Sequence, residues 1–92
     1  MYRNKPVTRQ DLANSLNIDV KYVEQIDSKQ LFRVRRPLRI ELYSYYTLVG
    51  HTDNNGGWLL TTIKYSPTTS KQLSQYASRL RQSGINVTYQ EV

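Results

Sequence analysis

The chain has no cysteine, which rules out disulfides, thiolate nucleophiles and cysteine-held zinc and leaves the core to hold by packing alone. Histidine is almost as scarce: His51 stands alone beside a turn-forming stretch near Asp53, with no second nitrogen or sulfur ligand, and reads as a surface turn residue. The carboxylates Asp11, Asp19, Glu24, Asp27, Glu41, Asp53 and Glu91 make no recognisable metal-binding or acid–base pair, and Gly56 with Gly57 is not a phosphate loop. Serines are plentiful, but no residue stands out as their activating base. These absences point to a non-enzyme that needs no cofactor and no metal. No apolar run approaches the roughly 20 residues that span a bilayer, and the opening MYRNKPVT lacks the apolar segment of a secretory signal. The expectation is a soluble, intracellular protein with no membrane partner.

What the chain does have is positive charge and tyrosine. Thirteen Lys and Arg against seven Asp and Glu give a net charge of +6, which favours a polyanionic partner such as nucleic acid and also suits an acidic protein surface. A small domain can carry such charge simply to stay in solution. Eight of the ten aromatic residues are tyrosines, which bury like hydrocarbons but need a partner for the hydroxyl, and so fit half-buried surfaces and interfaces. With 92 residues the chain is a single domain, 1–92, with a modest core.

The order of elements follows from periodicity. Thr8 followed by Asp11 approximates a helix-capping pattern, and Leu12, Ala13 and Leu16 then share a helical face. Asn17 suits the left-handed end of that helix, and Asp19 suits the cap of a second one whose buried stripe is Val20, Val23 and Ile26. Residues 30–50 turn β-branched and aromatic; Pro37 divides them into a short edge piece, 31–35, and a longer strand, about 39–50. The turn HTDNNGG leads to an antiparallel partner at 58–65. From Thr68 the period becomes helical, with Leu73, Tyr76, Ala77 and Leu80 on one face, until Gly84 stops the helix before a last strand at 85–89. The expected fold is α+β in the order ααβββαβ: an N-terminal helix pair, an antiparallel sheet of three to four strands, and one long helix packed on it.

Residues 8–28 resemble a helix-turn-helix unit, with Ala13 as the small residue where the helices cross and Asn17 at the turn. Such units lay their second helix in the major groove, which would present Asp19, Lys21, Tyr22, Glu24 and Gln25. The segment FRVRRPLR follows, and its Arg33, Arg35, Arg36 and Arg39 resemble the basic wing of winged-helix and excisionase-like proteins. Arginine forks pair well with phosphate. A structural αα-hairpin gives the same apolar spacing without touching DNA.

Two further segments carry a second resemblance. Ser44, Tyr45, Thr47 and Val49, then Tyr65, Ser66, Thr68, Thr69 and Lys71, are similar to a small domain of unknown function that recurs in bacteriophages and mobile elements. Gln72 departs from that pattern, where histidine is frequent. The resemblance implies a phage or mobile-element setting, in the cytoplasm of a bacterial host, and brings no enzymatic activity. Physically, YSPTTSKQL reads as a strand-to-helix hinge with Ser66 or Thr68 as the cap, or as an anion site formed by the hydroxyls and Lys71.

Two functions follow as expectations. The first is a small basic DNA-binding protein, a regulator or excision-type accessory factor, contacting duplex DNA as a homodimer through Lys21, Tyr22, Gln25, Arg33, Arg35, Arg36 and Arg39. The second is an inhibitor of a host bacterial protein that uses Tyr43, Tyr45 and Tyr46 as contact area.

Overall fold

The structure is a computed structural model that describes residues 6–26 and 30–91. Helix α1 (Arg9–Leu16) begins at a reciprocal capping box: the Asp11 N–H donates to Thr8 Oγ1 and the Thr8 N–H to the Asp11 carboxylate, both at 3.0 Å. It ends at Asn17, which takes the left-handed conformation at φ 57°.

The expected second helix is not formed. Asp19 caps only a single 3-10 turn, Val20–Tyr22, after which the chain extends as strand β1 (Val23–Gln25). A helix of about seven residues repays its nucleation poorly, whereas pairing with the next strand places Val23 opposite Val34, and both are buried. The helix-turn-helix expectation is thereby overturned; its last two positions, 27 and 28, lie outside the described residues.

Five more strands follow: β2 (Leu31–Arg35), β3 (Ile40–Ser44), β4 (Thr47–Thr52), β5 (Trp58–Thr61) and β6 (Val87–Gln90), with helix α2 (Pro67–Gln82) between β5 and β6. They form one six-stranded sheet in sequential order, where three to four strands were expected. The β2 segment is an interior strand between β1 and β3, not an edge. The stretch expected as one strand at 39–50 folds back on itself. Its turn holds Tyr45 at φ 55° while the Tyr45 N–H donates to the Gln30 carbonyl at 2.9 Å. The sheet is also mixed: β6 runs parallel to β5 because a sixteen-residue helix carries the chain back across the sheet. The observed order is αβββββαβ.

The helices cover opposite faces. On one, Leu73, Tyr76, Ala77 and Leu80 of α2 pack on Leu31, Leu42, Val49, Trp58 and Leu60, with Trp58 and Tyr76 edge to face at 5.3 Å. On the other, Leu12 and Ala13 of α1 join Val7, Val23, Phe32, Val34 and Tyr43. The α2 stripe is the one periodicity predicts. Its start is Pro67, one residue earlier than expected, with Ser66 as cap: the Thr69 N–H donates to Ser66 Oγ at 3.1 Å. Gly84, at φ 81°, ends the helical segment as expected.

Candidate nucleic-acid interface

The 3-10 turn and strands β1 and β2 bring basic residues together at one end of the sheet. A groove of about 680 Å³ is lined by Arg9, Lys21, Tyr22, Glu24, Gln25, Arg33 and Arg35, with Val23 and Ile40 forming its apolar part. Arg9 is fixed rather than free: its Nε donates to the Val23 carbonyl at 2.6 Å and its Nη2 to the Val20 carbonyl at 3.1 Å. Arg33 is likewise committed. It forks onto Glu24 at 2.8 and 3.0 Å and approaches the Tyr76 hydroxyl at 3.5 Å. Lys21 lies 5.2 Å from the centre of the Tyr22 ring. Neither Lys21 nor Arg35 has an ion-pair partner among the described residues, and both are exposed.

A second cavity of about 530 Å³ adjoins the first, sharing Tyr22 and Arg35 and adding Ile18, Arg36 and Pro37. It leads to the tip of the β2–β3 hairpin, closed by the Arg36 N–H donating to the Arg39 carbonyl at 2.8 Å. At that tip Leu38 is 95% exposed. Just below, Glu41 is buried and held from three sides: by Arg36 Nε at 2.8 Å, by Arg39 at 2.7 and 3.0 Å, and by the Tyr43 hydroxyl at 3.0 Å. Burial pushes the Glu41 carboxyl up, but the two guanidiniums and the phenol outweigh it and hold it below the ordinary glutamate value. Burial, with Glu41 alongside, pushes the Tyr43 hydroxyl up.

The predicted residues therefore divide. Lys21, Tyr22, Gln25, Arg33 and Arg35 line one groove, and Arg36 continues it. Arg39 stands at the hairpin tip with its fork on Glu41. Of the tyrosines offered as a protein-binding surface, Tyr43 is buried, while Tyr45 and Tyr46 are exposed in the β3–β4 turn. Arg9 and Leu38 escaped the sequence reading. The Pro-Leu-Arg run on a turn, an apolar residue flanked by a proline and a cation, was the available signal for Leu38. His51 is a half-buried residue of β4 whose Nδ1 lies 2.9 Å from the Thr52 carbonyl, not a turn residue.

Of the hinge hydroxyls, that of Ser66 caps α2, that of Thr69 is buried and Thr68 is exposed. Ser44 Oγ donates to the Gln72 side-chain carbonyl at 2.9 Å and lies 3.1 Å from Thr69 Oγ1, and all three residues are buried. The two halves of the sequence pattern, 44–49 and 65–71, meet at this contact between β3 and α2. Among the described residues no group of three His, Cys, Asp or Glu could hold a metal ion, and no helix is long and apolar enough to cross a membrane.

These features define a small mixed-sheet domain with one helix on each face and a basic groove at its β1 end. The chain belongs to a family of unknown function, DUF8033, whose family model matches residues 10–91. The match takes in most of α1, so this segment is part of the family domain. No curated protein and no solved structure matches the chain.

Proposed function

We propose that the protein binds duplex DNA without catalysis, through the β2–β3 hairpin and the groove beside it. The observation that carries this reading is the continuity of Lys21, Tyr22, Arg35, Arg36 and Pro37 around two adjoining cavities, next to an exposed hairpin tip. Of the nearby carboxylates, Glu24 and Glu41 are held by three arginines and Asp19 accepts from the Lys21 N–H as the cap of its turn, so among the described residues no carboxylate pairs with the Lys21 or Arg35 side chain.

In this reading no helix enters the major groove. Lys21 and Arg35 contact phosphates of one strand, and Arg36 and Arg39, fixed in orientation by Glu41, flank the adjacent backbone. Leu38 then lies against the base edges or sugars of the minor groove, where apolar side chains commonly wedge. The phage or mobile-element pattern of the sequence fits a small regulatory or accessory protein of this kind inside a bacterial cell.

The test is binding of a labelled duplex followed by fluorescence anisotropy at several salt concentrations. Affinity that falls steeply with salt supports the proposal. Absence of binding at low salt, with capture of one host protein that survives nuclease, supports the inhibitor reading instead.

A further inference from the structure

The two edges of the sheet are finished differently. At β1, Ile26 donates to Leu31 of β2, so the alternation of the strand turns the Val23 carbonyl outward, and the Arg9 side chain occupies it at 2.6 Å. At β6 no side chain does the same among the described residues. The carbonyls of Asn86 and Gln90 accept from Trp58 and Thr62 on the β5 side, at 2.9 and 3.2 Å. The N–H and C=O groups of Val87 and Tyr89 therefore point away from the sheet. β6 also carries no proline, lysine or bulge, the usual means of blocking an edge.

We propose that this edge pairs with the same edge of a second copy of the chain, antiparallel about a two-fold axis at Thr88, joining two six-stranded sheets into one. The register follows from the outward groups. Val87 of one copy lies opposite Tyr89 of the other and exchanges two hydrogen bonds with it, the axis repeats the pair, and Thr88 faces Thr88 between them. The side chains match in this register. Val87 beside Tyr89 is a β-branched and aromatic cross-strand pair, and two threonines meet on the axis.

Charge fits as well. Glu91 has no ion-pair partner among the described residues. In this register it falls opposite Ile85, which lines a cavity of about 450 Å³ with Arg81 and with Asp53, whose carboxylate accepts from the Asn55 and Gly57 N–H groups. The carboxylate of each copy thus meets the Arg81 guanidinium of the other, offsetting the basic character of α2, whose cations Lys71, Arg79 and Arg81 have no acidic residue among them. The pairing does not depend on DNA binding, since the basic groove lies at the opposite edge. It places the two grooves at the far ends of one sheet, roughly 50 Å apart at the ordinary strand spacing.

The experiment is light scattering of the purified chain over a wide concentration range, with two variants. The wild type is expected to rise from one 10.8 kDa chain toward two. Thr88→Lys, which sets two lysines against each other on the axis at an exposed site, is expected to stay at one chain with an unchanged circular dichroism spectrum. Thr88→Cys introduces the only thiol and is expected to form a covalent dimer in a mild redox buffer, whereas Gln90→Cys, off the axis, is not. A wild type that stays at one chain throughout overturns the proposal, as does a dimer that persists in Thr88→Lys or crosslinks equally through position 90.

Discussion

Ser44, the last residue of β3, and Thr69, in the first turn of α2, hold their hydroxyl oxygens 3.1 Å apart, and both side chains are buried. The same Ser44 hydroxyl donates to Gln72, so the serine ties the first turn of the helix to the sheet. Ser44→Ala leaves the Gln72 carbonyl without its donor and is expected to cost about 1–2 kcal/mol, read as a lower urea midpoint with an unchanged slope. Gln72→His retains an acceptor for Ser44 and is expected to stay within about 1 kcal/mol of the wild type.

Glu41 provides a pH-dependent test. Its folded-state pKa lies below the ordinary value, so the carboxylate contributes stability above its unfolded pKa of about 4.3, and that contribution is lost as pH falls through the folded pKa. Glu41→Gln is expected to be less stable than the wild type at pH 7, with the gap closing in acid. Urea midpoints of both proteins between pH 7 and pH 3 check this. A gap that stays constant across the range contradicts the role assigned to the Arg36–Glu41–Arg39 clasp.

Gly50 is required for space. A methyl group there would sit 2.6 Å from Leu60 Cδ2 and 2.7 Å from the Leu59 carbonyl oxygen on the neighbouring strand. Because one of these neighbours is backbone, relief requires β4 and β5 to separate. Gly50→Ala is expected to cost about 2–3 kcal/mol, visible as a lower melting temperature.

How far the sequence determined these features varied with the kind of signal. The caps at Thr8, Asn17 and Gly84 and the α2 stripe were legible, since each depends on a few neighbouring residues, whereas the α2 cap stayed open between Ser66 and Thr68. The second helix was misread because Val20, Val23 and Ile26 fit a helical spacing, while the winning interaction, pairing of Val23 with Val34, is non-local. The turn at Tyr45 was invisible for a different reason. Two tyrosines carry no turn signature, and the left-handed Tyr45 is held by a bond to the distant Gln30 carbonyl. For the candidate site, the arginine run was legible as charge. Its division into clasped and uncompensated cations depends on Glu24 and Glu41 lying across strands.

The hairpin tip separates affinity from stability. Leu38 is 95% exposed, so Leu38→Ala is expected to leave the melting temperature unchanged within error while weakening duplex binding several-fold. The comparison requires anisotropy and thermal melts on the same preparation.

The most direct test of the DNA-binding account is the dependence of duplex affinity on salt for the wild type and the Lys21→Ala/Arg35→Ala double variant. If both side chains neutralise phosphates, the variant binds more weakly and its slope of log affinity against log salt is shallower by about 1.8, at roughly 0.9 for each phosphate no longer neutralised. Identical slopes and affinities for the two proteins, or no binding by the wild type at low salt, would contradict it.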